Sequence, residues 1–167
     1  VRQVGPGSCP KCGMALEPLE PLAAEEEPSV ELADMTRRFW VSVALTAPIV
    51  ALTMGEMALP DLVAPLSVTA RLWFQLVLAA PVVLWGGWPF FERAWISLST
   101  RRLNMFTLIG LGTAAAFLAS AAAALLPLSI WPAAFLGPHG QPPVYFESAA
   151  VIVELVLLGQ VLEIRAR

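Results

Sequence analysis

The chain has 167 residues, of which 57% are hydrophobic and 14% charged, with a mean hydropathy of +0.71. Soluble domains carry about 25% charged residues, so this composition excludes a simple soluble domain. A net charge of −3, with no basic cluster beyond arginine pairs, also argues against a disordered or nucleic-acid-binding chain.

Residues 1–18 hold the only two cysteines, as Cys9-Pro10-Lys11-Cys12-Gly13. Two thiolates at this spacing can grip one soft ion, and Gly13 after them allows the tight turn. A closed tetrahedral site needs four ligands, so Cys9 and Cys12 make a partial site, with Met14 adding a thioether nearby. A redox CxxC would need a thioredoxin-like context, which is absent. Residues 19–29, rich in Pro and Glu, have the composition of a solvated linker.

Four apolar blocks follow, and about 20 apolar residues suffice to cross a bilayer as a helix. The predicted spans are 30–59, 70–88, 103–126 and 144–164, giving an all-α membrane protein with four transmembrane helices and a short cytoplasmic head. The second span is interrupted by Gly86-Gly87 and then Pro89, which predicts a kink near one membrane face. Its continuation, 89–102, is amphipathic. Phe91, Trp95 and Leu98 are expected to meet lipid, and Glu92, Arg93, Arg101 and Arg102 to meet water, as in a helix lying on the membrane surface. The third span begins Leu103-Asn104-Met105, and its small residues, Gly110 and Gly112 among them, suit close helix packing. Met105 is an ordinary packing residue or a thioether ligand for monovalent copper. Residues 127–143 form an extracytoplasmic loop holding the only histidine, His139, read as a surface residue.

The fourth span carries Glu147 near its outer end, Glu154 near its middle and Glu163 at its cytoplasmic end. A carboxylate within a membrane segment is costly and needs a partner or an aqueous path. Orientation follows from the positive charges. Counted against the apolar blocks 39–55, 72–91, 103–126 and 144–162 at the heart of these spans, nine of the ten Lys and Arg residues fall before the first, between the second and third, or after the fourth; only Arg71 lies on the other side. That bias places both termini in the cytoplasm of a multi-pass protein of the plasma membrane.

These residues resemble the N-terminal part of a heavy-metal (type IB) P-type ATPase, of the copper(I)-exporting kind. VRQVGPGSCPKCGMALEP is similar to the latter part of a heavy-metal-binding domain. PFFERAWISLSTRRLNMFTLIG and VYFESAAVIVELVLLGQVLEIRAR are similar to the surface helix with the first core span, and to the second core span. The start at Val1 and the stop at Arg167 are expected to be cuts in a longer pump. The resemblance implies an ion-uptake site at Met105 and Glu163 and an exit path through Glu147. It implies a platform at Gly86, Gly87, Arg93, Arg101 and Arg102, where a cytosolic copper chaperone or carrier docks. Glu154 has no implied role. Copper(I) would be the transported ion, with Mg and ATP serving the actuator, phosphorylation and nucleotide domains, whose motifs this sequence lacks; nucleic acid is not an expected partner. A zinc or cadmium pump of the same superfamily, and a non-enzymatic metal-binding membrane scaffold, are the alternatives.

Overall fold

A computed structural model describes Cys9 and residues 28–58, 67–137 and 141–166. Among these residues the secondary structure is helical, with no strand. Helix α1 is Pro28–Ala58 and α2 is Val68–Pro81; a π-helical turn, Val82–Gly86, continues α2. Helix α3 is Trp88–Ser99, α4 is Met105–Leu125 and α5 is Phe146–Ala166. Two 3-10 turns, Leu128–Ile130 and Ala133–Phe135, occupy the connection before α5. Cys12 and His139, like most of the head and linker, lie outside the described residues.

Among the described residues, three helical stretches are long and apolar enough to cross a membrane: Val30–Ala58, Val68–Gly86 and Met105–Leu125. Helix α5 matches them in length, with 21 residues, but holds Glu147, Glu154, Glu163 and Arg165.

The core lies where α1 and the π turn meet α5. Ile49, Val82, Val83, Phe146, Ala149, Ala150 and Leu157 are almost wholly buried there. Small residues at 149 and 150 let α5 approach its neighbours closely, the usual means of helix association in lipid. On the far side, Phe117 of α4 meets Phe146 edge-to-face at 6.0 Å between ring centroids.

The break after α2 has a local cause. Pro89 has no N–H to close a helical bond onto Trp85. The chain instead widens by one residue, and Gly87 N donates to Val82 O at 3.0 Å across a π turn. Gly87 then begins α3, accepting from the N–H groups of Phe90 and Phe91 at 3.0 and 3.2 Å. Neither glycine has room for a side chain. A Cβ at Gly86 would lie 2.7 Å from Ser42 Oγ, and one at Gly87 only 2.4 Å from Val83 O.

The expected division of α3 into a lipid and a water face needs correcting. Trp95 is 72% exposed and Leu98 52%, while Phe91 is partly buried against the core. The Arg93 side chain is only 13% exposed and turns into the bundle. Its hydrogen-bonding partners lie on the neighbouring helices, which explains the reversal.

Candidate ion-handling sites at the two ends of the bundle

At the end of the bundle holding the arginines, Met105 is set by the turn between α3 and α4. Arg101 adopts a left-handed conformation, φ 54°, and reverses the chain. Asn104 caps α4: its Oδ1 accepts from Thr107 N at 3.1 Å, and Thr107 Oγ1 accepts from Asn104 N at 3.3 Å. Thr107 Oγ1 also donates to Ser97 Oγ at 2.7 Å, tying the start of α4 to the end of α3. Met105 is therefore the first residue of a well-anchored helix and is 65% exposed. Arg101 and Arg102 beside it are exposed.

Glu163 stands on the last turns of α5, also exposed. It is joined to the region of Met105 through intermediate side chains. Gln160 Nε2 donates to Glu163 Oε2 at 3.1 Å, and Arg93 Nη1 donates to Gln160 Oε1 at 2.6 Å. The same guanidinium lies over the Phe106 ring, 5.2 Å from its centroid, and Nη2 comes within 4.0 Å of Glu31 Oε1. One cation thus touches α1, α4 and α5 from its seat on α3. Gln160 and Glu31 carried no signal in the sequence reading, because their partners lie far away in the chain.

Arg38 forms a second cross-helix link. Its Nη1 donates to Trp85 O at 2.6 Å, the carbonyl that Pro89 leaves without a helical donor. Its guanidinium also lies 4.9 Å over the Trp85 ring, and Nε pairs with Asp34 at 2.8 Å. Arg38 therefore supports the π turn from α1. The missing donor at Pro89 was legible in the sequence; which residue supplies one was not.

At the other end, Glu147 occupies the first turn of α5 and lines a cavity of about 300 Å³. Thr53 and Glu56 of α1, Gln75 of α2 and Gln141 line it as well. Glu56 Oε1 pairs with Arg71 Nη1 at 2.7 Å, so the single positive residue expected on this side is already engaged. All these lining donors are oxygens or amides. Hard donors of this kind hold soft ions only weakly.

Between the two ends, α1 presents Ser42 and Thr46 to the α5 side. Thr53 follows the common helical habit of donating to the carbonyl four residues back, at 3.1 Å from Ile49 O. Ser42 and Thr46 are buried, and the Ser42 hydroxyl has no protein partner. Glu154 faces Thr46 from α5, and its Oε1 is likewise buried without a partner. Orphaned oxygens of this kind are where internal water is found in proteins.

Among the described residues no three His, Cys, Asp or Glu side chains gather as a metal cluster. Cys9 is buried, but Cys12 is outside the described residues, and so is the geometry of the pair.

A heavy metal binding domain model matches residues 2–19. Over all 167 residues the chain is 53% identical to a copper-exporting P-type ATPase of Legionella pneumophila, and 53% identical to a silver exporting P-type ATPase of Salmonella typhimurium. It is 51% identical over 162 residues to a copper-transporting P-type ATPase of Rhizobium leguminosarum. The chain belongs with the heavy-metal P-type ATPases. It covers 22%, 20% and 19% of those three relatives, so it corresponds to about one fifth of such a pump.

Proposed function

We propose that this chain is the membrane front of an ATP-driven export pump for copper(I), acting as part of a translocating ATPase. The observation that carries this reading is the full-length similarity to copper-exporting and silver exporting relatives. The pump would be multi-pass in the plasma membrane, with α5 as a fourth span, both ends of the chain cytoplasmic and the cysteine-bearing head on that side.

In this reading the ion reaches the cytoplasmic face where the π turn and Gly87 bend α2 into α3. The exposed Trp88, Trp95 and Leu98 seat α3 in the interface, and Arg101 and Arg102 present positive charge to a cytosolic copper carrier. Met105 and Glu163 receive the ion. A thioether and a carboxylate form a weak, exchangeable pair for a soft monovalent cation, suited to passing it on. Arg93 belongs to the scaffold behind the platform, since its charge is committed to Gln160, Glu31 and Phe106. Glu147, in the oxygen-lined cavity, lowers the barrier to departure on the outer side. Magnesium and ATP act on the actuator, phosphorylation and nucleotide domains, coupling hydrolysis to alternating access.

Silver(I) is a second cargo, favoured by the silver exporting relative. It is also a soft monovalent cation, and the same thioether suits it.

The test is transport by the complete pump in vesicles. Met105→Leu keeps the volume and removes the sulfur. It should raise the copper(I) concentration for half-maximal ATPase activity by about tenfold, the lower end of the scale on which altered metal ligation is felt. An unchanged titration would refute the uptake assignment.

A further inference from the structure

Glu163 and Met105 sit on different helices and must hold a common geometry for the proposed uptake site to work. Three contacts lead from Glu163 toward the start of α4. Gln160 and Glu163 are one turn apart on α5 and joined at 3.1 Å. Gln160 accepts from Arg93 at 2.6 Å, a charge-assisted bond. Arg93 in turn covers Phe106, the residue next to Met105.

We propose that Gln160 is a positioning residue that tunes Glu163 for ion transfer. This rests on the reading of Met105 and Glu163 as the uptake site. The Arg93 guanidinium polarises the Gln160 carbonyl, and the amide N–H at the other end becomes a stronger donor to the carboxylate. Part of the charge on Glu163 is thereby drawn toward the protein. Glu163 stays fixed in orientation but becomes a weaker ligand, as a site that must release its ion inward requires. The amide does this because it accepts at one end and donates at the other. A glutamate at 160 would pair with Arg93 but could not, when ionised, donate to Glu163. A leucine would fill the space and break both bonds.

The platform enters the same chain. Arg93 stands on α3, between the exposed Trp95 and the buried Phe90. A carrier that shifts α3 on docking would move Arg93 and loosen its hold on Gln160, so the uptake carboxylate would respond to docking without touching the carrier.

The experiment uses the complete pump in lipid, with silver(I) or copper(I) alone as the probe. ATPase activity and phosphoenzyme formation are followed across a metal titration for Gln160→Leu, Gln160→Glu, Arg93→Lys and Glu163→Gln. Gln160→Leu should shift the half-activating metal concentration downward and slow turnover at saturation, each by about tenfold, the scale of a lost hydrogen bond to a charged group. Gln160→Glu should fall on the same side, and Arg93→Lys should keep part of the wild-type behaviour. Phosphorylation from inorganic phosphate, which needs no ion uptake, should be unchanged in Gln160→Leu, Gln160→Glu and Arg93→Lys and shows that these variants are folded. If Glu163→Gln alters the titration and Gln160→Leu does not, Gln160 has no positioning role. If neither alters it, the uptake reading itself fails. A Gln160→Leu effect on saturated turnover alone, with the half-activating concentration fixed, would also overturn the proposal.

Discussion

Ser42 and Gly86 show how closely the turn is fitted at the level of single residues. The Cβ that alanine would bring to position 86 falls 2.7 Å from Ser42 Oγ, so one of the two must move. Overpacking of this kind costs about 1–3 kcal/mol. The Ser42 hydroxyl is buried and has no protein partner, so its removal sacrifices no protein hydrogen bond. Gly86→Ala should therefore lower thermal stability in detergent, and Ser42→Ala should recover most of that loss in the double variant. Gly87→Ala meets the carbonyl of Val83 at 2.4 Å, a backbone atom that cannot rotate away. It should cost more than Gly86→Ala and show no rescue by Ser42→Ala. Equal losses at both positions, with no coupling to Ser42, would mean that the glycines serve flexibility and not this close approach.

At the scale of the helices, small residues that look alike in sequence have different surroundings. Gly110 of α4 lies against α3, where an added Cβ would stand 2.8 Å from Ala94 Cβ; nothing lies within 4 Å of such an atom at Gly112 or Gly159. Gly110→Ala should push α3 and α4 apart and destabilise by about 1–3 kcal/mol. Gly112→Ala and Gly159→Ala should be neutral or stabilising in this chain, by up to about 1 kcal/mol from helix propensity. Melting curves of the three variants in one detergent would separate them, and a common response would contradict the packing described here. The mostly helical fold was legible because apolar length acts locally. The choice of Gly110 over Gly112 was not, since it depends on which face α3 covers. The inward turn of Arg93 was hidden for the same reason: an amphipathic pattern marks a charge as polar, whereas its partners on α1 and α5 decide that it points inward. Met105, Glu147 and Glu163 were named from family resemblance, and the packing adds Gln160 beside Glu163 and Glu56 beside Glu147.

For the whole molecule the open point is the path of α5. Among the described residues three helices are long and apolar enough to cross, and three crossings would leave the two ends of the chain on opposite sides of the membrane. Four would bring them together, on the side that carries nine of the ten positive residues. The obstacle is the three glutamates of α5, and each has a polar environment within the fold. Glu147 lines the oxygen-rich cavity, Glu154 faces Thr46, and Glu163 accepts from Gln160 near the helix end. Carboxylates turned toward partners or water can be accommodated in a span that composition alone would reject. A fusion of a periplasmic phosphatase after Gln141 should therefore be active, and a fluorescent protein fused after Arg167 should mature in the cytoplasm. Phosphatase activity at both positions, with a dark fluorescent fusion, would place α5 outside the membrane, take Glu163 away from the cytoplasmic ion and remove the basis of the proposed uptake site.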